Sequence, residues 1–87
     1  MNESERRLRL LSDRQTMDRL GLKPTAFRDR DSKGLIPPAV KINGRNFRPE
    51  HEIESLIRGH IRNLDDAGIR RLIADLIAQR AALEVVA

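Results

Sequence analysis

Apolar residues recur along this chain in short runs at helical spacing, and glycine or proline separates one run from the next. Met17 and Leu20 mark the inner stripe of a first helix, because positions three apart share a helix face. Ser12 followed by Gln15 has the capping-box form and predicts where that helix starts. Gly21 can adopt the left-handed conformation that ends it, and Leu22 anchors the turn. Pro24 suits the first position of a second helix, where its missing amide would be unpaired anyway. With Phe27 as the buried anchor, a step of about 100° per residue puts Ala26 and Arg30 near its side. The same step puts Thr25, Arg28 and Ser32 on the other side and Asp29 on the flank, and Gly34 closes the helix.

Ile36, Pro37 and Pro38 then predict a stiff extended connection, since proline lacks an amide and disfavours helix in the residue before it. Asn43-Gly44 between apolar-containing runs is a strong hairpin signal, because a type I′ turn needs positive φ at both central residues. A two-residue turn sets Ile42 opposite Arg45, Lys41 opposite Asn46 and Val40 opposite Phe47. Val40 and Phe47 are therefore expected as a cross-strand core pair, with Lys41, Arg45 and Arg48 near solvent or phosphate. Pro49, Glu50 and Glu52 form a suitable first turn for a third helix, in which Ile53, Leu56, Ile57, His60 and Ile61 recur at helical spacing. The pattern pauses over residues 63–68, where Asp65 or Asp66 can cap a new helix. Beyond the pause, Ile69, Leu72, Ile73, Leu76, Ile77 and Leu83 keep an amphipathic register.

These elements predict a mainly α fold with a small β-hairpin: a winged helix-turn-helix plus an extra C-terminal amphipathic helix. Residues 1–10 form a basic N-terminal arm containing Arg6, Arg7 and Arg9, residues 11–62 the DNA-binding domain, and residues 63–87 the C-terminal helix. An 87-residue chain with only Phe27 and Phe47 as aromatics has a thin core. The last helix is therefore expected either to fold back over the first and third helices or to serve oligomerisation. Its apolar residues, Ile69, Leu72, Ile73, Leu76, Ile77 and Leu83, would carry either role.

Composition narrows the chemistry. With no cysteine there is no disulfide, thiolate nucleophile or cysteine-rich zinc site. His51 and His60 would stand about 13 Å apart along one helix, too far for one coordination sphere, and no metal or other cofactor is expected. No nucleophile sits in an organised triad, so the chain does not read as an enzyme. The start MNESERRLRLL lacks the apolar core of a signal peptide, and no window offers the roughly 20 apolar residues of a membrane span. A soluble, cytoplasmic protein without a membrane partner is expected.

The net charge of +4 is unevenly spread. Residues 1–48 hold 12 Lys and Arg against 6 Asp and Glu, whereas residues 49–87 hold 5 against 7. The basic half contains the paired helices and the hairpin, which favours a polyanionic partner, double-stranded DNA. A short second helix suits the major groove and a basic hairpin the adjacent minor groove. Arg28 is the candidate for a bidentate contact to guanine, Thr25 and Ser32 reach bases or phosphate, and Lys23 and Lys33 hold phosphate. On the hairpin, Arg45 is placed to enter the minor groove, with Lys41 and Arg48 along its strands.

Three segments, LLSDRQTMDRLGL, PTAFRDRDSKGLIPPAVKINGRNF and RPEHEIESLI, resemble in order and spacing the AlpA-like prophage regulators and the excisionases, or recombination directionality factors. Both belong to the broader MerR-like winged-helix group, and the resemblance covers roughly residues 10–61. The chain differs from those families at Phe47, where they often carry tryptophan or tyrosine, and at Arg30 and Asp31, where they often carry an apolar residue. The resemblance implies a bacterial, nucleoid-associated protein that binds and bends attachment-site DNA cooperatively and biases a tyrosine recombinase (integrase) toward excision of a mobile element. A short chain with an extra apolar helix fits that architectural role. The alternatives are an AlpA-like transcriptional regulator of mobile-element genes and a protein-interaction adaptor that recruits its partner through the C-terminal helix.

Overall fold

The structure, a computed structural model, describes residues 8–86, with side chains described as far as residue 83 at the C-terminal end. Arg6 and Arg7 of the expected arm lie outside the described residues. Strand β1 (Leu10–Ser12) leads into helix α1 (Asp13–Leu20), and α2 (Pro24–Ser32) follows a short turn. Strands β2 (Val40–Ile42) and β3 (Arg45–Pro49) form the hairpin, after which come α3 (Glu50–Ile61) and α4 (Asp66–Val86). The chain is mainly helical, with a three-stranded antiparallel sheet in the order β1-β3-β2.

Local chemistry sets most of the boundaries. The capping box at α1 is complete: Gln15 N donates to Ser12 Oγ (3.2 Å), and Ser12 N donates to Gln15 Oε1 (2.9 Å). Gly21 ends α1 at φ 68°, a conformation costly for residues with a Cβ. Pro24 opens α2, and Asn43 (φ 52°) with Gly44 (φ 77°) makes the expected hairpin turn. The register also follows expectation, with Val40 opposite Phe47, Lys41 opposite Asn46 and Ile42 opposite Arg45. At the pause before α4, Asn63 takes positive φ (60°) and Gly68 N donates to Asp65 Oδ1 (2.8 Å).

The hairpin is one strand wider than the sequence predicts. β1 pairs with the free edge of β3, setting Leu11 opposite Arg48 and Ser12 opposite Phe47. Arg9 O also accepts from Glu50 N (2.8 Å), so the end of the expected arm is tied to the sheet and α3. This third strand decides which sheet face is inside. Side chains alternate along a strand, and Leu11, almost fully buried, selects the face shared by Arg48. Val40 and Phe47 lie on the opposite face. They pair as expected but are only half-buried, so they are not the core pair that the hairpin alone suggests. Ala26, expected beside Phe27, is exposed.

The core lies between the helices. Leu35, Leu56, Ile69 and Ile73 form one buried cluster, with Leu20 and Leu64 packed against it. Helix α4 therefore folds back on α3 within the same chain. Ile69, Ile73 and Leu76, expected to be available for oligomerisation, are buried internally because an 87-residue chain needs them for its own core. Leu72 is half-buried, and Ile77 and Leu83 remain exposed. Gly59 eases the close approach of α3 and α4: a Cβ there would stand 2.9 Å from Leu72 Cδ2 and 3.2 Å from Ile69 Cδ1, so those side-chain ends would have to shift.

Among the described residues, no helix is long and apolar enough to cross a membrane, and no cluster of three or more His, Asp or Glu could hold a metal ion.

Candidate nucleic-acid interface

Phe27 is the one fully buried residue of α2, so the rest of this helix faces outward or edges the core. Thr25, Arg28 and Ser32 are exposed on the side expected of them. Lys23 caps the N-terminal end of α2 through its backbone conformation, and its side chain is exposed. Lys33 caps the other end. Its Nζ lies 3.1 Å from Asp29 Oδ2, but both side chains are 57% exposed, so solvent competes with the pair. Ser32 Oγ donates to Asp29 O (2.8 Å), a local bond that occupies its proton and leaves its lone pairs as acceptors.

On the hairpin, Lys41 and Arg45 are exposed on either side of the Asn43-Gly44 turn. Lys23, Arg28, Lys41 and Arg45 make no ion pair with another described residue. Arg9 and Arg19, by contrast, are engaged by Glu50, and Arg19 also by Glu54.

Arg48 departs from expectation. It is only 2% exposed and cannot present its guanidinium to an external phosphate. Its Nε donates to Pro37 O (2.8 Å), one terminal nitrogen donates to Asp13 Oδ1 (2.6 Å), and the other lies 3.2 Å from Asp31 Oδ1. The guanidinium carbon sits 4.9 Å from the Phe27 ring centroid, at cation–π distance. A planar five-donor group can serve three acceptors and a ring face at once, which an ammonium cannot. Arg48 thereby links β3 to the start of α1, the end of α2 and the connection between α2 and the hairpin. Asp31, at a position where the resembling families often carry an apolar residue, is accounted for by this contact.

A second arginine secures the same connection from the other side. Arg80 Nε donates to Glu52 Oε2 (2.7 Å), and its Nη2 donates to Glu52 Oε1 (2.6 Å) and to Pro38 O (2.9 Å). Glu52 is fully buried, and its hydrogen bonds hold the Arg80 guanidinium above its ordinary pKa. The consecutive Pro37 and Pro38 carbonyls are thus each bound by an arginine. The sequence signal was present in the two prolines, whose stiffness leaves fixed carbonyls without amides of their own, but their partners lie far along the chain.

A third feature sits at the far end of α2. Arg30 Nη2 and His60 Nε2 lie 3.5 Å apart. Partial burial first and the Arg30 charge second push the His60 pKa down, against a smaller opposing effect of Asp66. This pair edges a cleft of about 460 Å³ floored by Leu20, Leu22, Leu56 and Ile57 and flanked by Ile61, which is 74% exposed.

Comparison of the chain with models of known families, with curated proteins and with solved structures finds no match.

Proposed function

We propose that the chain is a winged helix-turn-helix protein that binds double-stranded DNA, with α2 as the major-groove helix and the β2–β3 hairpin as the wing. The observation that carries this reading is the pairing of two exposed elements, each bearing cations free of ion pairs among the described residues, with a buried arginine that ties their bases together. Arg28 and Arg45 are the groove-facing residues, supported by Thr25, Ser32, Lys23, Lys33 and Lys41. Arg48 sets the relative placement of helix and wing and does not touch DNA. In biological terms this is an excisionase-like factor that binds and bends attachment-site DNA in several copies and assists an integrase. Regulation of mobile-element transcription would use the same contacts.

The test is binding to duplexes selected in vitro from a random pool. With about five phosphates neutralised per bound molecule, log affinity falls against log salt with a slope near −4.5, or roughly 500-fold from 50 to 200 mM. A flat salt response removes the electrostatic basis of the proposal.

The cleft beside Ile61 supports a second reading, a protein-interaction adaptor, although its lining comes from the first three helices and the connections after α1 and α2 and not from the C-terminal helix expected to recruit the partner. Its open apolar floor is a surface that a partner's apolar residues would cover. Ile61→Lys would then abolish partner capture and leave DNA binding unchanged, whereas loss of neither function would count against the adaptor.

A further inference from the structure

Exposed arginines also stand on α3, at its C-terminal cap and on α4: Arg58, Arg62, Arg70 and Arg71. The fold fixes one of them beside α2. Arg70 Nε donates to Lys33 O, 3.1 Å away, at the C-terminal cap of α2. The two terminal nitrogens of Arg70 make no hydrogen bond or ion pair with another described residue. The anchor is a neutral carbonyl at the partially negative end of a helix, so it orients the guanidinium without neutralising it. The side chain has already lost part of its rotamer freedom, and its free donors keep the parallel geometry that matches two phosphate oxygens. Preorganisation of this kind lowers the cost of binding.

We propose that Arg70 is a phosphate-binding residue that brings α4 into the DNA interface. It grips the backbone beside the groove that α2 enters. This rests on the reading of α2 as the DNA-contacting helix, and it gives the C-terminal helix a direct role on the nucleic acid besides its role in the core. Lys33, whose carbonyl holds Arg70, supplies a second cation at the same end of α2.

A purely structural cap on α2 would use the same Lys33 bond, so the experiment must separate charge from capping. Binding of wild type, Arg70→Ala, Arg70→Gln and Arg70→Lys to one selected duplex is measured from 50 to 200 mM salt, with melting curves for each protein. The slope of log affinity against log salt should become shallower by about 0.9 in the Ala and Gln variants. Their affinity deficit relative to wild type then shrinks about 3-fold across that salt range. Arg70→Lys should keep the wild-type slope. A lowered melting temperature with unchanged slopes overturns the proposal and leaves Arg70 as a cap. A steep wild-type slope shared by every variant also overturns it while leaving the DNA reading intact, whereas a flat wild-type slope removes both.

Discussion

Replacing Arg48 by methionine, which keeps an apolar stem but none of the donors, separates holding the fold from binding DNA. The change leaves Pro37 O without its partner and Asp13 and Asp31 without their cation. Both carboxylates are 43% exposed and keep part of their hydration, so the expected cost is about 2–4 kcal/mol rather than that of a fully buried orphan charge. Arg28→Ala should change stability by less than about 0.5 kcal/mol, as surface substitutions do. Urea denaturation of the two variants checks the contrast; a smaller loss for Arg48→Met than for Arg28→Ala would refute the assignment. His60 gives a pH dependence at the same scale. Its folded pKa lies below 6.5, so as pH falls below 6.5 the unfolded chain takes up a proton before the folded one does, and stability declines until the folded pKa is passed. The denaturation midpoint should therefore be lower at pH 5.5 than at pH 7.5, and His60→Gln should reduce that difference.

At the scale of elements, the packing of α3 on α4 through Gly59 makes a graded prediction. The Cβ of Gly59→Ala would press on Leu72, Ile69 and Leu64 side-chain ends, which can shift, and alanine regains about 1 kcal/mol of helix propensity. That variant should fall within about 1 kcal/mol of wild type. Gly59→Leu cannot be absorbed in this way and should lose about 2–3 kcal/mol by overpacking. Equal melting temperatures for both variants and the wild type would mean that the helices part freely. The helix and turn boundaries were legible in the sequence because they depend on near neighbours: Ser12 with Gln15, Gly21, Pro24 and Asn43-Gly44 each fix their own backbone. β1 was not legible, since Leu10–Ser12 is recruited by the open edge of β3 and carries no alternation of its own. That omission inverted the reading of the sheet faces, placing Val40 and Phe47 inside and Arg48 outside. In the same way, the outward positions of Arg28 and Arg45 follow from helical phase and a local turn, whereas the anchoring of Arg70 depends on α4 meeting α2.

At the scale of the molecule, extents of 36 × 31 × 19 Å match about one turn of duplex, about 34–36 Å, so the proposed action on a longer DNA site would require several copies. Helix α4 cannot serve that purpose with the residues it buries at home. Truncation after Asn63 would remove Ile69, Ile73 and Leu76, each contributing about 1.5–3 kcal/mol, from a domain whose whole stability is about 4–13 kcal/mol. The shortened chain should lose cooperative unfolding by circular dichroism, so it cannot report on self-association alone. Ile77 and Leu83 are the expected oligomerisation residues left accessible, and Ile77 is 44% exposed. Ile77→Lys should keep the wild-type melting temperature and single-site affinity while lowering cooperativity on duplexes carrying tandem sites. Sedimentation of the DNA complexes would show single occupancy persisting to higher protein concentration. Unchanged cooperativity in the folded Ile77→Lys variant would argue against the outer side of α4 and direct attention to the cleft beside Ile61, where Ile61→Lys poses the same question to another exposed apolar surface.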